Sequence, residues 1–498
     1  MPRHAPSIRN LPRRGLSGRA LLLLVAAVLA AAGVAGGAET GARVAARVRA
    51  YEKANAGRAA VSVVALPPAG RDAAPQPLVA IRADRSSIPA SNQKLLTAAF
   101  ILAQFGGGYR FTTDVYLRGE DLVVVGGYDP LLGDPVLAAD EDESIYAELD
   151  AWTAAVRAAT GGRLDGDILL SGPAEATRVR PPGWPEDQLQ REYAAPAWAL
   201  NFHNNCIAVS FAANATRTEP RLRPLSRRIR VVNKVRVGKR NIWSMRTAED
   251  GAVVVLRGTV TGKKTWPLNV AIDRPGLLLG RVLADRLARG GVAFDGRIRR
   301  VGPLDADSGG MRRLARTQTP LATVLQRVNK QSVNMAAECM LLAAGDGTWE
   351  GSAAMMERTL REAYGLGEDA VCVADGSGLA RGNRVTARAM TTVLSALSRG
   401  RRGAVLLESL STAGVDGTLD DRLDEPGCRG RIRAKTGYIR GVSCLSGYVL
   451  DRAGAPRMAF SVLVNGIRPG KAWKAKDLQD ALCRILIRHT DAADEPAR

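Results

Sequence analysis

"PASNQKLLTAAF", residues 89–100, is the stretch on which the reading of this chain turns. Ser91 stands three positions before Lys94, at the mouth of a run in which Leu95, Leu96, Ala98, Ala99, Ile101 and Leu102 are apolar. Such a run predicts a helix buried on most sides. Positions three apart share a helix face, so Lys94 reaches back toward Ser91. At a helix N-terminus the backbone N–H groups lack helical partners and the positive end of the dipole favours an anion. Burial disfavours a charged ammonium and moves a lysine toward a usable base. Taken alone, the tetrapeptide also fits a serine that caps the helix and a lysine that snorkels to solvent.

Upstream, Arg3, Arg9, Arg13, Arg14 and Arg19 occur without an acid, followed by an apolar run from Ala20 to Val34 and the small residues of "AGGAET". This order predicts an export signal over residues 1–38, cut after Ala38, with Gly36 and Ala38 at the small-residue positions. An uncleaved membrane anchor is the alternative reading of the same run. Arg13-Arg14 leaves a twin-arginine route open beside the general one. Either way the bulk of the chain is expected to be exported, working in the periplasm or another extracytoplasmic space.

Composition excludes several classes. A chain of 498 residues with 46% hydrophobic content is long enough for two or three domains with real cores. Of its three histidines His4 lies in the leader, and His203 and His489 are not spaced as metal ligands. Cys206, Cys339, Cys372, Cys428, Cys444 and Cys483 show no Cys-x-x-Cys spacing, so no cofactor, zinc or redox motif is indicated. Export permits disulfides; their pairing stays open beside isolated buried thiols. The formal charge is +21 and remains strongly positive without the leader. Ten basic residues lie between Arg217 and Arg240, against the single acid Glu219. For an exported protein, anionic wall polymers or a membrane surface are the fitting partners of segment 217–240, with a plain solvated strand face as the alternative. Aromatic interleaving for stacking bases is absent, so no nucleic acid is expected.

The two chain ends mirror one another. Residues 42–53 read as a helix through Val44, Val48 and Tyr51, followed by the strand-like "AAVSVVAL" and "PLVAIRA". Near the C-terminus "RIRAKTGYI", "VSCLSGYVL" and "RMAFSVLVNGI" predict an antiparallel meander, closed by an amphipathic helix through Leu478, Leu482, Ile485 and Leu486. If the five strands share one sheet, the ends build one α/β domain, 39–107 with 308–498. Residues 108–307, with "RFTTDVYL", "DLVVVGG", "GDILLSG" and "CIAVSF" and a helix over 143–159, then form a mainly β insertion.

Two further signals reinforce the first. "VNKQSVNMAAE" sets Ser332 and Asn334 in a short loop between a helix through Leu321, Val324, Leu325 and Val328 and another starting near Met335. "RAKTGYIRG" sets Lys435, Thr436 and Gly437 on the first strand of the meander. In the order Ser-x-x-Lys, Ser-x-Asn, Lys-Thr-Gly, the chain resembles the penicillin-recognising serine acyltransferases. It is most similar to their low-molecular-weight (class C) penicillin-binding, D-Ala-D-Ala carboxypeptidase/endopeptidase branch, through "PASNQKLLTA", "NKQSVNMAAE", "DGSGLARGN", "AGVDGTL" and "AKTGYIRGVSCLSGYV". The long stretch between Ser91 and Ser332 fits that branch, and "GWPEDQL" and "APAWALNFHNN" extend the likeness into it. Val333 departs from the usual aspartate, and Tyr128 is interposed before Asp129 in "GGYDPLL".

The resemblance implies a transpeptidase/β-lactamase-like fold, a five-stranded antiparallel sheet flanked by helices with a large insertion. It implies catalysis by Ser91, Lys94, Ser332, Asn334 and Lys435: Ser91 attacks between two D-alanines, neutral Lys94 takes its proton, and Ser332 with Lys435 relays one to the leaving amine. Asn334 would hold the substrate amide and position Lys94. Thr436 and Lys435 would bind the terminal carboxylate, Gly437 would leave room for the peptide, and the N–H groups of Ser91 and Tyr438 would form the oxyanion hole. Asp375, Ser377 and Arg381 either shape the site or form a Gly-rich turn. Peptidoglycan peptides and β-lactams are the implied ligands. A serine β-lactamase and a non-catalytic wall-binding protein of the same fold are the alternatives; no deacylating glutamate stands out for the former, and no core catalytic side chain is missing for the latter.

Overall fold

The computed structural model describes residues 37–68, 73–173, 178–213, 216–262, 265–304 and 310–494. Residues 1–36 of the expected export signal lie outside these. Among the described residues no helix is long and apolar enough to cross a membrane.

The chain ends meet in one sheet. Arg58–Ala65 pairs antiparallel with Gln76–Ile81 on one side and with Pro456–Asn465 on the other, and the C-terminal meander continues through Val442–Leu450 to Ile432–Ile439. Beyond the five expected strands lies a sixth, the two-residue edge strand Ser411–Thr412, which pairs only with Arg433 and Ala434. From Lys435 onward the strand therefore keeps one side out of the ladder, next to the serine turn.

Alternation along the strands gives the sheet two apolar faces. Val61, Val63, Phe460, Val462 and Val464 pack against a helix over 37–54 and the C-terminal helix Ala472–Asp494 through Val44, Val48, Leu478, Leu482 and Leu486. On the other face Ala60, Tyr448, Ala459 and Leu463 meet a helical layer containing Gln93–Phe105, Asn334–Ala344 and Ala387–Leu397. Ser62 on this face is satisfied by Thr391 at 2.8 Å, as a buried hydroxyl requires.

The middle of the chain builds a second sheet in the order Ile298–Val301, Ile168–Ser171, Asp121–Gly126, Arg110–Arg118, Met311–Pro320. Ala147–Thr160 and Pro275–Arg289 cover it through Leu149, Trp152, Val156, Leu279, Val282 and Leu283. Two three-stranded sheets extend this region: Leu268–Ala271, Cys206–Ala213, Thr218–Arg223, and Ile242–Ala248, Val253–Val260, Arg230–Val237. Met311–Pro320 pairs along Arg110–Arg118, so the chain rejoins the helical layer only at Leu321.

The turn around Tyr128 links the two regions. Tyr128 adopts φ +63° and donates its N–H to the Ala199 carbonyl at 3.0 Å. Asp129 is buried and accepts from Leu131 N and Thr319 Oγ1, while its own carbonyl accepts from Asn201. Burial pushes its carboxyl up to about 6. All six cysteines are free thiols, five of them buried.

Candidate active site

Ser91 sits in a single 3-10 turn, Ala90–Asn92, that leads into Gln93–Phe105. Ala90 has φ +46°, a left-handed conformation that costs a non-glycine residue about 1–3 kcal/mol and survives only where the surroundings over-determine it. Two glycines do so. Gly378, itself at φ +87°, lies so close that a Cβ there would stand 1.9 Å from the Ala90 carbonyl oxygen. At Gly437 a Cβ would stand 2.9 Å from Pro89 O and 3.0 Å from Ser91 N, so the bare strand lets the serine turn come up against it. Asn92 ties turn to sheet, donating to Lys435 O at 2.7 Å and accepting from Ser446 Oγ at 2.7 Å.

Lys94 is fully buried. Its Nζ donates to Ser91 Oγ at 3.0 Å, to Asn334 Oδ1 at 2.5 Å and to the Ser377 carbonyl at 2.8 Å. Burial lowers its pKa to about 7, against the opposing pull of Asp375 and Glu338. An amine held near neutrality and bonded to a serine hydroxyl can accept that hydroxyl's proton.

Ser332 lies in the short connection between Leu321–Lys330 and Asn334–Ala344, and Asn334 opens the second of these helices. Ser332 is left-handed, φ +60°, and accepts from Lys435 Nζ at 3.0 Å. Asn334 is already the first helical residue; its oxygen faces Lys94 and its amide nitrogen donates to the Tyr193 carbonyl at 2.7 Å. Lys435 is also fully buried and donates to the Thr436 carbonyl at 2.9 Å. Burial, and then the nearby Lys94, hold its amine well below the usual lysine range. Thr436 donates from Oγ1 to Thr418 Oγ1 at 2.8 Å, within the "AGVDGTL" turn, and Lys330 pairs with Asp416 of the same turn at 2.7 Å. Val333 caps the second helix and packs against the core.

The segment "DGSGLARGN" is a structural support for the lysine. Asp375 is buried and accepts from Gly378 N and Ala380 N, both at 2.6 Å, from Asn383 Nδ2 at 2.7 Å and from Trp184 Nε1 at 2.8 Å. This holds the Ser377 carbonyl toward Lys94. Glu338, which the sequence reading passed over, sits beneath: one carboxylate oxygen takes Gly376 N at 2.8 Å and the other takes Ser377 N at 2.9 Å. Burial and the neighbouring Asp375 push its carboxyl up to about 8 while these two donors hold it back. Its only hint in the sequence was an acid in an otherwise apolar helical run, "NMAAECMLLAA".

Ser91, Ser332, Asn334 and Tyr438 line a cleft of about 920 Å³. Gly378 and Arg440 also line it, together with Asp187, Gln188 and Tyr193 from the middle region. Arg381 donates to the Arg440 carbonyl across one end. Tyr438 projects outward, 59% exposed. The eight residues expected to act together are therefore gathered at one place, and the middle region supplies Tyr193 and Trp184 to it. His203 bonds to the Cys206 carbonyl and His489 to Thr40 instead.

Comparison with known proteins follows the same lines. A profile of the D-Ala-D-Ala carboxypeptidase 3 (S13) family matches residues 58–488. The D-alanyl-D-alanine carboxypeptidase of Actinomadura sp. (strain R39) is 30% identical over 451 residues, 82% of this chain and 79% of that one. A crystal structure of penicillin binding protein 4 (dacB) from Haemophilus influenzae superposes with a TM-score of 0.72 at 21% identity, covering 89% of this chain and 98% of that one. The same Haemophilus protein complexed with a β-lactam gives 0.67 at 20% identity, again over 89% and 98% of the two chains. These likenesses span both the paired chain ends and the long middle region, and the chain therefore belongs to the D-Ala-D-Ala carboxypeptidase 3 (S13) family of serine hydrolases.

Proposed function

We propose that this chain hydrolyses peptidoglycan stem peptides at D-alanyl-D-alanine, as a carboxypeptidase, an endopeptidase or both, through an acyl-enzyme on Ser91. The observation that carries this reading is the buried Lys94 amine, held near neutrality and bonded to Ser91 Oγ at 3.0 Å. Ser91 Oγ attacks the carbonyl carbon while its proton passes to Lys94 Nζ. The tetrahedral oxyanion is met by the N–H groups of Ser91 and Tyr438; one such donor is typically worth about 2.7–4 kcal/mol. The C–N bond then breaks, and the departing amine takes a proton from Ser332 Oγ, which Lys435 replenishes. The proton taken up by Lys94 passes on through the Ser332–Lys435 relay to restore what the amine removed, so Lys94 is neutral again. Water then attacks the ester with Lys94 as base, and Lys94 returns the proton to Ser91 Oγ as the ester C–O bond breaks and the shortened peptide leaves.

Binding fits the same groups. Burial and the nearby Lys94 lower the pKa of Lys435, and a substrate carboxylate arriving at Thr436 favours its protonated form, so substrate works against that shift. The amide nitrogen of Asn334 is held by Tyr193, which leaves the asparagine aligned for Lys94. β-Lactams, which carry a carboxylate and a reactive amide, are proposed to acylate Ser91 by the same path.

Residues 39–107 with the chain from about 321 to 498 are proposed as the peptidase unit and 108 to about 320 as an insertion that walls the cleft, a later limit than the 307 expected from the sequence because Met311–Pro320 pairs along Arg110–Arg118. An exported, extracytoplasmic location is proposed from the leader, and attachment to anionic wall material or a membrane surface from segment 217–240.

Labelling with penicillin, followed over time by intact mass and peptide mapping, tests the central claim. A stoichiometric, slowly decaying adduct on Ser91 is expected. Label on a different serine sinks the mechanism, rapid turnover favours a β-lactamase, and no adduct favours a non-catalytic protein.

A further inference from the structure

The sheet of Ile242–Ala248, Val253–Val260 and Arg230–Val237 has two unlike faces. Val235, Met245, Val254 and Leu256 are buried in the core of the middle region. Because side chains alternate, Arg230, Lys234, Arg236, Arg246 and Arg257 share the opposite face, and all five are exposed. Strand pairing sets Arg257 directly beside Lys234. Like charges on neighbouring strands are destabilising, so this face is costly to the fold. Glu249 pairs with Arg230 at 3.3 Å at one end, and Glu219 lies on the adjoining strand Thr218–Arg223.

Charge alone leaves the partner open; the far end of the sheet narrows it. There Ile242 is 63% exposed, Trp266 90% and Leu268 47%. Local contacts bring these segments together. Thr261 N donates to Asn241 Oδ1 at 2.7 Å, the Trp243 ring packs edge-on against Phe211 at 5.2 Å, and Phe211 N donates to Thr265 Oγ1 at 2.9 Å. Arg236 shares a rank with Ile242 across Thr259, and Lys239 and Arg240 form the adjoining turn. An anionic polymer asks only for cations. A nearly bare indole and two exposed aliphatic side chains, on segments next to the cationic turn, match the interface of an anionic bilayer, where indoles rest at headgroup level and cations meet lipid phosphates.

We propose that this end of the sheet docks the protein peripherally on an anionic lipid surface, with Trp266, Ile242 and Leu268 entering the interface and Arg236, Lys239 and Arg240 facing the phosphates. None of these residues lines the catalytic cleft, so docking and turnover are separable, and the inference stands independently of the catalytic mechanism.

The test is flotation of the exported protein, its N-terminus mapped, with vesicles of phosphatidylcholine containing about one third phosphatidylglycerol. Variant and parent share the same N-terminus, so any retained leader contributes equally. Replacing Arg236, Lys239 and Arg240 by Gln is expected to lower partitioning on the order of 10²-fold. The pair Trp266→Ser and Ile242→Ser is expected to lower it about tenfold or more while leaving retention on poly(glycerol phosphate) unchanged. Brominated lipids should quench an emission component in the wild type that is missing from Trp266→Phe, a readout that does not depend on how the serine variants fold. Unchanged partitioning of the Trp266/Ile242 variant, or quenching that is the same in Trp266→Phe, overturns the proposal. Retention on the polymer without retention on vesicles also overturns it and assigns the surface to wall material.

Discussion

Lys94 and Lys435 in the cleft and the cations of the small sheet are the same kind of side chain in opposite surroundings. The two cleft lysines are fully buried, and among the described residues neither forms an ion pair; they bond to hydroxyls and carbonyls instead. Burial strips solvation from the ammonium, so both amines fall below their ordinary range. On the sheet, Lys234, Arg236 and Arg257 are exposed to water. Burial thus turns a lysine into a proton acceptor, and exposure leaves it an electrostatic handle. The same contrast appears in the backbone: left-handed Ala90 is held by the close approach of Gly378 at the cleft, while the turn at Lys239 and Arg240 on the sheet is exposed.

The contrast can be broken most forcefully at Lys94. Lys94→Met retains the aliphatic volume and removes the amine, so acylation by penicillin should fall by at least ~10²-fold while the protein still folds. Near-normal acylation with early melting would make Lys94 a structural residue. Next is the packing that holds the serine turn. Gly378→Ala demands a side chain at φ +87° against the Ala90 carbonyl, and should cost about 3 kcal/mol or more of stability and slow acylation with it. An unshifted melting midpoint would show that the turn relaxes freely.

A pH series sharpens the comparison further. With Lys94 near 7, protonation below that value removes the base, so the acylation rate should fall about tenfold per unit below roughly pH 7 and level off above it. The linked effect on stability has the same direction: the unfolded chain keeps the lysine proton up to its ordinary 10.5, so between about 7 and 10.5 this group's contribution to folding stability rises with pH. An acid limb with a midpoint near that of an exposed lysine would contradict burial as the cause. The smallest effect belongs to the sheet: Arg236, Lys239 and Arg240 replaced by Gln should change turnover of a small soluble peptide by less than about twofold, because exposed charges are screened beyond about 8 Å at physiological ionic strength. A large drop would mean that the sheet's field reaches the cleft.

Much of this architecture was legible beforehand, and for identifiable reasons. The C-terminal meander announced itself by strand period and short turns, and the apolar helix after Ser91 by its unbroken hydrophobicity; each signal is local. Pro275–Arg289 was passed over, although its apolar residues recur on one face, and the edge strand Ser411–Thr412 is too short to show any period. Glu338 and the Ser377 carbonyl were illegible as lysine supports, because each acts through a backbone group of a segment distant in sequence.

What the sequence by itself determined is the set of reactive groups and their order: a serine and lysine on one helical face, a second serine with an asparagine, and a lysine on a strand. Spacing of three along a helix is enough to bring Ser91 and Lys94 within a hydrogen bond. Only the tertiary structure decided what those groups are chemically. The Lys94 amine falls to about 7 because Ser377, Asn334 and the packed helices around it exclude water, and Asn334 is held because Tyr193, from the long middle region, accepts from its amide. Desolvation and long-range hydrogen bonding depend on which segments close around a side chain, and that is a property of the folded surroundings rather than of neighbours along the chain.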